Sequence, residues 1–496
     1  MRTTAIRWAK RLIALLIVAV VTLLAVRVWD TQRGPPLHIW HTYVPHELSA
    51  QELDVADWTK YLEAEARIFE DLRQKLSQTL DPEDRVPVNR YFTGSPVYPA
   101  DLAQDWNRSY SLEPSGTPTG AVVLLHGLTD SPYSLRHIAR LYRDHGFAVI
   151  AIRLPAHGTV PGALTEIEWE SWEAATRLAV REARRRIDPS SPVHLVGFSM
   201  GGALALKYAL DAIGDKALKP PGRLVLITPM IGITRLARIA GFAALPALLP
   251  AFAKAAWLSV TPEFNPFKYN SFPVNGARQS VRLADALQAQ IVRYAREGKL
   301  VQLPPILTFQ SVVDFTVSTN AIVSALYARL PSNGSELVLF DVNRTVKFGQ
   351  LLRSSADIAL SRILPAGPQK YRTAIITNMD AGTSEVSERV IEAGAATENS
   401  RPLGLSFPPG IYSLSHVALP FPINDSLYGL YPDPAEDFGI HLGALAPRGE
   451  RNVLIVSMDA LLRISFNPFF PYMLGRIEES FAGHASSAAA NSAAHN

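Results

Sequence analysis

The sequence predicts an α/β fold in which a mostly parallel, doubly wound sheet is covered by helices on both faces. Three observations support this prediction. Short unbroken apolar runs, typical of strands buried on both faces, alternate along the chain with helical segments. One of these runs ends in Gly197-Phe198-Ser199-Met200-Gly201, where a strand turns directly into a helix. The composition, 48% hydrophobic and 19% charged, is that of a globular protein with a large core.

Charge and cysteine content exclude several classes of function. The 48 basic and 45 acidic residues leave a net charge of +3, which is too small to predict a nucleic-acid partner. The chain has no cysteine, so disulfides, thiolate metal sites and a cysteine nucleophile are excluded.

Residues 1–30 are predicted to form an uncleaved signal anchor, a single transmembrane helix. An uncharged run over 12–26 follows basic residues with no acidic residue among them. This run is short against the ~20 residues of a usual span, but Val28 and Trp29 extend it past Arg27, whose side chain can snorkel. The alternative is a cleaved signal peptide, although no Ala-x-Ala-like site follows. The basic residues are Arg2, Arg7, Lys10 and Arg11.

The basic amino-terminal end also predicts the orientation of this anchor. Basic flanks remain in the cytoplasm, so the rest of the chain is expected outside it. In a bacterial cell the anchor would lie in the inner (cytoplasmic) membrane, with the body on the periplasmic side.

Residues 31–106 are predicted to be a linker followed by a helical amino-terminal extension. Apolar side chains recur at helical spacing among charged ones between Ala50 and Leu80, which predicts an amphipathic helix or a pair of helices. We expect this extension to pack on the body of the protein. A helix lying on the membrane surface is the alternative.

The first part of the α/β core is predicted over 107–233, where strands and helices alternate. The predicted strands are 109–112 at an edge, 121–125, 147–152, 193–196 and 223–227. The predicted helices are 132–145, 165–187 and 200–213.

A helical cap is predicted over 234–304, between two strands of the sheet. The stretch of about 70 residues is far longer than an ordinary crossover. Its first half, Ile239 to Ala253, is nearly all Ala, Leu and Phe, and Pro246 and Pro250 argue against a second membrane span. This apolar stretch is either a lid over an apolar pocket or the ordinary core of the cap.

A second insertion divides the rest of the core. The second part of the core is predicted over 305–344, with strands at 305–309 and 336–341, and the insertion is predicted over 345–409, with a possible strand at 371–377. The end of the core and a carboxy-terminal helix are predicted over 410–485. Residues 486–496 are predicted to be a disordered low-complexity tail.

Ser199 is the predicted nucleophile. A strand that turns into a helix within about two residues strains the corner residue, and the glycines at 197 and 201 relieve the crowding. The corner lifts the hydroxyl above the sheet. Alone, the Gly-x-Ser-x-Gly pattern is also compatible with a turn that only packs a helix on a sheet.

Two backbone N–H groups are predicted to bind an oxyanion beside this hydroxyl. The amide of Met200 belongs to the first turn of the helix, where N–H groups have no partner within the helix. The strand 121–125 ends in His126-Gly127 and a loop of small polar residues, and we expect Leu128 in this loop to supply the second donor.

Asp314 and His416 are predicted to complete the catalytic residues. A serine hydroxyl needs a base within hydrogen-bonding distance to attack an ester, and the base needs an orienting acid. Asp314 follows a strand, and His416 lies in a short loop rich in small polar residues. His416 would take the proton of Ser199, and Asp314 would hold the imidazole in the required tautomer.

Alternatives for both roles stay open. Asp341, at the end of the next strand, is the second candidate for the acid, and His441 is the second candidate for the base. His126 and His157 lie before the nucleophile in sequence and are predicted to be structural.

These motifs together resemble the lipase and carboxylesterase branch of the α/β-hydrolase superfamily, over roughly Ser109 to Ala418. The chain is most similar to the monoacylglycerol lipase, lysophospholipase and serine aminopeptidase-like group. The motifs are His126-Gly127, Leu154-Pro155-Ala156-His157-Gly158, Trp169 with Trp172, Gly197 to Gly201, and the loops of Asp314 and His416.

The resemblance implies a capped α/β-hydrolase fold, the order Ser199, Asp314, His416 for the triad, acyl ester substrates, and no metal or organic cofactor. The chain departs from the family in the helical stretch before the core, the insertion before His416 and the extension after it.

The expected function is that of a membrane-anchored serine hydrolase cleaving small-molecule or lipid-derived carboxylic esters. Acyl transfer or peptidase action on the same triad is an alternative, and the cap has no obvious acidic cluster to hold a free amino terminus. A non-catalytic, hydrolase-like scaffold is the other alternative, although the intact Ser, Asp and His candidates count against it.

Overall fold

Ten strands form one sheet in the computed structural model, which describes residues 2–232, 246–247, 250–349, 351–448 and 454–493. Two further short strands pair with each other beside it. In chain order the strands are β1 (Tyr110–Leu112), β2 (Gly120–Leu125), β3 (Phe147–Ile152), β4 (Val193–Phe198), β5 (Arg223–Ile227), β6 (Trp257–Ser259), β7 (Phe272–Pro273), β8 (Ile306–Ser311), β9 (Glu336–Phe340), β10 (Arg372–Asn378), β11 (Glu385–Ile391) and β12 (Glu398–Ser406).

The sheet is parallel at its centre and antiparallel at both edges. Its strand order is β1-β3-β2-β4-β5-β8-β9-β10-β11-β12. All neighbours from β3 to β10 run parallel, whereas β1, β11 and β12 pair antiparallel with their neighbours. The predicted mostly parallel sheet is confirmed.

Helices cover both faces of this sheet. The described α-helices are α1 (Arg2–Arg33), α2 (Ile39–Thr42), α3 (Ala50–Val55), α4 (Trp58–Leu72), α5 (Arg136–Asp144), α6 (Trp169–Arg185), α7 (Met200–Gly214), α8 (Val274–Arg296), α9 (Thr319–Ala321), α10 (Val346–Gly349), α11 (Ser354–Asp357), α12 (Ala359–Ile363), α13 (Met458–Arg463) and α14 (Phe470–Ala493). Helices α6, α7 and α8 build the core on one face, and α5 and α14 build it on the other.

The central strands have no solvent-facing side. In β2, Val123 and Leu125 belong to the first core, while Val122 and Leu124 belong to the second. Every residue of β2, β3, β4 and β8 is buried. This is why these strands are continuous apolar runs in the sequence rather than alternating ones.

Helix α1 has the length and composition of a membrane span. Residues Ile6–Arg33 have a mean hydropathy of 2.7 in their most apolar stretch, and none of that stretch is buried in the protein. A signal sequence has the same properties, so this finding fits an anchor or a signal. The end of the helix contacts residues 250–257 of the cap region: Arg27 donates to the carbonyl of Trp257, and Lys254 Nζ donates to the carbonyl of Gly34 at 3.1 Å.

The amino-terminal extension packs on the core. It contains α3 and α4, which is the pair of helices among the two predicted possibilities, and α3 lies against α6. Arg153, directly after β3, is buried and forms ion pairs with Glu47 at 2.8 Å and Glu65 at 3.0 Å. Two carboxylates of the extension, of which that of Glu65 is buried, therefore hold it to the end of a central strand.

Part of the predicted cap, residues 234–304, belongs to the core in the structure. Its second half is mostly α8, which packs on α6 and α7 as part of the core layer. An amphipathic pattern gives the buried face of a helix but not the surface it covers. The apolar stretch Ile239 to Ala253 lies largely outside the described residues, since 233–245 and 248–249 are not described.

The second insertion and the tail also differ from the predictions. Residues 372–406, placed within the 345–409 insertion, supply β10, β11 and β12 and so extend the main sheet. The backbone of α14 continues to Ala493, through residues predicted to be disordered. Alanine has the highest helix propensity, so an Ala-rich tail can prolong a helix that is already formed.

Candidate active site

Ser199 occupies the sharp corner between β4 and α7. Its φ of 54° and ψ of −112° lie in a strained region for a residue with a side chain. A Cβ atom at Gly201 would lie 1.9 Å from the carbonyl oxygen of Leu125, and one at Gly197 would lie 2.2 Å from the carbonyl oxygen of Gly201. Only glycine fits at either position, which explains the two glycines of the motif.

The backbone around the corner is anchored on the next strand. The N–H of Ser199 donates to the carbonyl of Ile227 at 2.9 Å, and the carbonyl of Ser199 accepts from Met230 at 2.9 Å. The strained conformation is therefore held from both sides by the end of β5.

His416 lies between Ser199 and Asp314. Its Nδ1 is 2.8 Å from Oδ2 of Asp314, and its Nε2 is 2.9 Å from Oγ of Ser199. Both Ser199 and His416 are buried. An ionised carboxylate can only accept, so Nδ1 carries the ring proton and Nε2 is free to accept the proton of the serine hydroxyl.

The surroundings of Asp314 favour its ionised form. Burial opposes ionisation, but the charge of His416 and hydrogen bonds outweigh it and lower the pKa of this carboxyl. The other oxygen, Oδ1, accepts from the backbone N–H groups of Thr316 at 2.7 Å and Val317 at 3.0 Å. The tight turn after β8 thus fixes the carboxylate that faces the imidazole.

A comparison with known families identifies the superfamily of the chain. A model of the alpha/beta hydrolase family matches residues 122–367, which include Ser199 and Asp314. The chain belongs to the α/β-hydrolase superfamily. The predicted superfamily and its fold are therefore confirmed. His416 lies beyond the matched span of this α/β-hydrolase.

Individual relatives are lipases. The thermostable monoacylglycerol lipase of Bacillus sp. (strain H-257) is 25% identical over 242 residues, which cover 49% of this chain and 84% of the relative. Among solved structures, monoglyceride lipase from Saccharomyces cerevisiae is 14% identical with a TM-score of 0.35, covering 47% of this chain and 81% of that one. The monoacylglycerol lipase of Paleococcus ferrophilus is 18% identical with a TM-score of 0.34, covering 51% and 99%. The chain is a lipase- or esterase-like α/β-hydrolase.

The histidine of this hydrolase reaches the site after a long excursion of the chain. Strands β10, β11 and β12 separate the end of β9 from His416. The returning segment is bound to the residue just after β9: the N–H of Asn343 donates to the carbonyl of Tyr412 at 2.8 Å, and its Nδ2 donates to the carbonyl of Ile411 at 2.9 Å. Asn343 is buried and so fixes where the histidine loop begins. The sequence reasoning missed this residue.

The predicted oxyanion donors lie at the same edge of the sheet. Met200 begins α7 directly after Ser199, and Leu128 lines the cavity in front of the serine. Neither backbone N–H donates to another group within the described part of the chain. Thr129, next to Leu128, has a φ of 63°, and its carbonyl accepts from the N–H of Tyr269 at 2.8 Å. The cap thereby holds the loop that carries Leu128.

The alternative acid and base lie elsewhere in the hydrolase. Asp341 forms an ion pair with Arg344 at 2.8 Å and accepts from Thr377 Oγ1 at 2.9 Å. His441 places Nδ1 2.9 Å from the carbonyl of Ser426. The residues that the structure brings together with Ser199 are His416, at 2.9 Å from its Oγ, and Asp314, at 2.8 Å from the imidazole.

The two earlier histidines pack within the core. His126 donates from Nδ1 to the carbonyl of Gly127 at 2.9 Å and accepts at Nε2 from the N–H of Leu154 at 3.0 Å. Burial lowers the pKa of His126 well below its usual value, and burial lowers that of His157 to about 4. Both are held neutral, in agreement with a structural role.

A cavity of about 640 Å³ opens in front of Ser199 and His416. Its apolar lining includes Phe198, Met230, Phe264, Phe272, Val317 and Val417. Among the described residues, no group of three or more His, Asp or Glu side chains could hold a metal ion.

One wall of the cavity comes from a part of the chain that the sequence reasoning did not place there. Residues 455–457, Ala460, Arg463 and Ile464 line it from the extension after His416. Lys268, from the cap, lines it as well. No pattern in the sequence predicts that Lys268 and Arg463 line the same cavity.

Proposed function

We propose that the protein is a membrane-anchored serine esterase or lipase that hydrolyses carboxylic esters through an acyl-enzyme. The observation that carries the proposal is His416, whose two ring nitrogens lie within 2.9 Å of Ser199 and 2.8 Å of Asp314. This is the arrangement that a serine needs to act as a nucleophile at neutral pH.

In the first half of the reaction, Oγ of Ser199 forms a bond to the ester carbonyl carbon and its proton passes to Nε2 of His416. The carbonyl oxygen becomes an oxyanion, which accepts from the N–H groups of Leu128 and Met200. The bond between the carbonyl carbon and the alcohol oxygen then breaks, and the alcohol leaves with the proton from Nε2. Asp314 stabilises the imidazolium and keeps Nδ1 protonated throughout.

In the second half, a water molecule adds to the acyl carbon and gives a proton to Nε2. The bond from the acyl carbon to Oγ breaks, Ser199 regains its proton from His416, and the carboxylic acid is released. No cofactor takes part in either step, because the proton is exchanged only among Ser199, His416, the alcohol and water.

A lipid-derived substrate fits the surroundings of the site. The cavity is large and mostly apolar, as an acyl chain requires. The monoacylglycerol lipase relatives act, by name, on esters of this kind. The apolar helix α1 would hold the body at a membrane, with its basic end in the cytoplasm and, in a bacterium, the body on the periplasmic side.

The test of the enzyme uses the full chain in a non-ionic detergent with a fluorophosphonate probe and a short-chain p-nitrophenyl ester. The wild type should be labelled. Ser199→Ala should not be labelled, and its kcat should be about 10⁶-fold lower. Ser361→Ala, which removes an exposed hydroxyl outside the cavity, is the matched control and should behave as wild type. An unlabelled wild type would support a non-catalytic scaffold instead.

The anchor is tested separately by cell fractionation. Uncleaved chain should remain in the membrane pellet after an alkaline carbonate wash, and its amino-terminal residues should still be present by mass spectrometry. A soluble chain that begins after about residue 30 would show a cleaved signal peptide.

A further inference from the structure

Within the described part of the chain, the charged side chains that line the cavity at Ser199 are all basic. Among the described residues, the lining includes Lys268 and Arg463 together with His416, and it contains no Asp or Glu. A cavity that serves only neutral esters has no need for two cations on its walls. Their presence makes its interior electropositive.

Lys268 lies on the cap side of the cavity. The next residue, Tyr269, donates its N–H to Thr129 in the loop that carries Leu128, so Lys268 sits beside the predicted oxyanion donor. Within the described part of the chain, its ammonium group interacts with the charges of Asp130 and Arg463 but forms no hydrogen bond with either. The lysine is half-buried, and a cation in such a place is favoured by a nearby anion.

The charged groups around Lys268 have opposing effects on its pKa. Burial lowers the pKa of Lys268; the carboxyl of Asp130 opposes this effect, and Arg463 adds to it. Asp130, in the same loop as Leu128, is buried and does not line the cavity. Lys268 and Arg463 therefore repel each other, and the described lining contains no acidic partner for them.

Arg463 lines the cavity from α13, next to the segments that carry the other two catalytic candidates. Its Nη2 donates to Oγ1 of Thr316 at 2.6 Å, two residues after Asp314. Its carbonyl accepts from Oγ of Ser415 at 2.7 Å, one residue before His416. These contacts fix the guanidinium group at the rim, although the side chain is exposed.

We propose that Lys268 and Arg463 form a subsite for an anionic group, a phosphate or a carboxylate, that the ester substrate carries. This assignment rests on the proposed hydrolase function and narrows its substrate class to anionic acyl esters. The anion would lie between the two cations, in front of Ser199, while the acyl chain occupies the apolar part of the cavity. Charge-assisted hydrogen bonds from both side chains would hold it.

The test compares two substrates that differ only in the anion. Full-length protein in a non-ionic detergent is assayed on 1-lauroylglycerol and on 1-lauroylglycerol 3-phosphate, and the ratio of their kcat/KM values is the readout. Lys268→Met and Arg463→Gln should each lower the ratio of anionic to neutral substrate about tenfold, which corresponds to about 1.4 kcal/mol. Lys299→Met, which removes an exposed lysine outside the cavity, should leave the ratio as in wild type.

The ratio is insensitive to a general loss of activity, because both substrates share it. Lys268→Arg should restore most of the ratio if charge is what matters. A ratio unchanged within twofold in both Lys268→Met and Arg463→Gln would overturn the subsite. Because Arg463 is exposed, its variant remains informative even if the lysine variant fails to fold.

Inhibitors identify the anion and its source. Dodecyl phosphate and dodecanoate are compared with dodecanol as competitive inhibitors of the neutral p-nitrophenyl ester. At least tenfold tighter inhibition by one of the anions, lost in both variants, supports the subsite and identifies phosphate or carboxylate. Equal inhibition by dodecanol, or equal inhibition by inorganic phosphate without an alkyl chain, would overturn the assignment to an ester-borne anion.

Failure of this inference differs from failure of the proposed function. Without fluorophosphonate labelling of Ser199 the enzyme assignment itself falls. With labelling and ester hydrolysis but an unchanged ratio, the protein is still a serine hydrolase and only the anionic substrate class is wrong.

Discussion

Strands β4 and β8 at the centre of the sheet and strand β12 at its edge are built in different ways. Every residue of β4 and β8 is buried between the two helix layers, whereas most of β12 is exposed. The edge relies on ion pairs instead: Glu388 in β11 pairs with both Arg372 and Arg401. Ser199 and Asp314 follow central strands, and the edge reaches the site only through the histidine loop.

The comparison indicates which part of this hydrolase should be most sensitive to substitution. Close packing at the centre leaves no room for adjustment, so small changes there should have large effects. An exposed ion-pair partner such as Arg401 contributes little, so changes of exposed residues at the edge should be tolerated unless they move His416. Four predictions test this contrast.

The largest difference is expected between two aspartates at the ends of neighbouring strands. Asp314→Asn should lower kcat about 10⁴-fold, because the imidazole loses its orienting carboxylate and the required tautomer. Asp341→Asn, which breaks the ion pair with Arg344, should leave kcat within a few-fold of wild type. Steady-state rates on a p-nitrophenyl ester measure both. A loss confined to Asp341→Asn would move the acid to the end of β9.

The next largest effect is expected for packing at the corner. Gly201→Ala places a Cβ atom 1.9 Å from the carbonyl oxygen of Leu125, so α7 must separate from β2 at a cost of roughly 3 kcal/mol or more. Gly475→Ala in α14 meets nothing within 4 Å and should be neutral or stabilise by up to about 1 kcal/mol. Thermal unfolding followed by tryptophan fluorescence separates the two. Similar melting temperatures for both variants would show that the corner is not tightly packed.

Carboxyl groups in the two regions should change the stability of the protein with pH in opposite directions. Burial raises the pKa of Asp130 to about 6, so the folded state binds the extra proton and stability falls as pH rises from about 4 to 6. Relative to Asp130→Asn, the wild type should lose on the order of 2–3 kcal/mol between pH 4 and pH 7.

Glu388 is the matched case at the edge. Although burial opposes it, hydrogen bonds from Tyr472, Arg401 and Arg372 lower the pKa of Glu388. The stabilisation by ionised Glu388 is present above the pKa that this carboxyl has in the unfolded state. It is lost as the pH falls through the lower pKa of the folded state. The wild type should therefore lose stability relative to Glu388→Gln on acidification. Melting temperatures across pH 3.5–7.5 test both signs, and parallel curves for the two pairs would contradict this contrast.

The smallest effects are expected where the edge connects to the site. Asn343→Ala removes the side-chain hydrogen bond to the carbonyl of Ile411 and should lower kcat about tenfold with little change in KM, because His416 is less well positioned. Arg401→Gln removes an exposed partner of Glu388 and should change stability by less than about 1 kcal/mol and leave kcat unchanged. If both variants had wild-type kcat, Asn343 would have no positioning role.

The central strands and the corner could be predicted because their constraints are local. A strand buried on both faces must be apolar throughout, and the corner at Ser199 admits only glycine at 197 and 201. The candidates Asp314 and His416 were found from the chemistry that a serine requires, together with their order in the chain. Their roles in catalysis remain the subject of the first prediction.

The edge and the cavity wall could not be predicted, because their constraints are tertiary. β12 is mostly exposed and polar, so its sequence is not distinguishable from that of a loop. α8 is amphipathic, and its pattern does not show whether it covers a sheet or forms a cap. Lys268 and Arg463 converge only after the chain has folded, and neither lies in a motif.

The detour of the chain before His416 has a consequence for the timing of activity. The serine and the aspartate are synthesised and can be placed by the central strands long before the imidazole emerges from the ribosome. A nascent chain at that stage would therefore contain the proposed nucleophile without its proposed base. If the proposed triad is right, the protein cannot cleave esters until the last strands of the sheet have docked and His416 has reached Ser199.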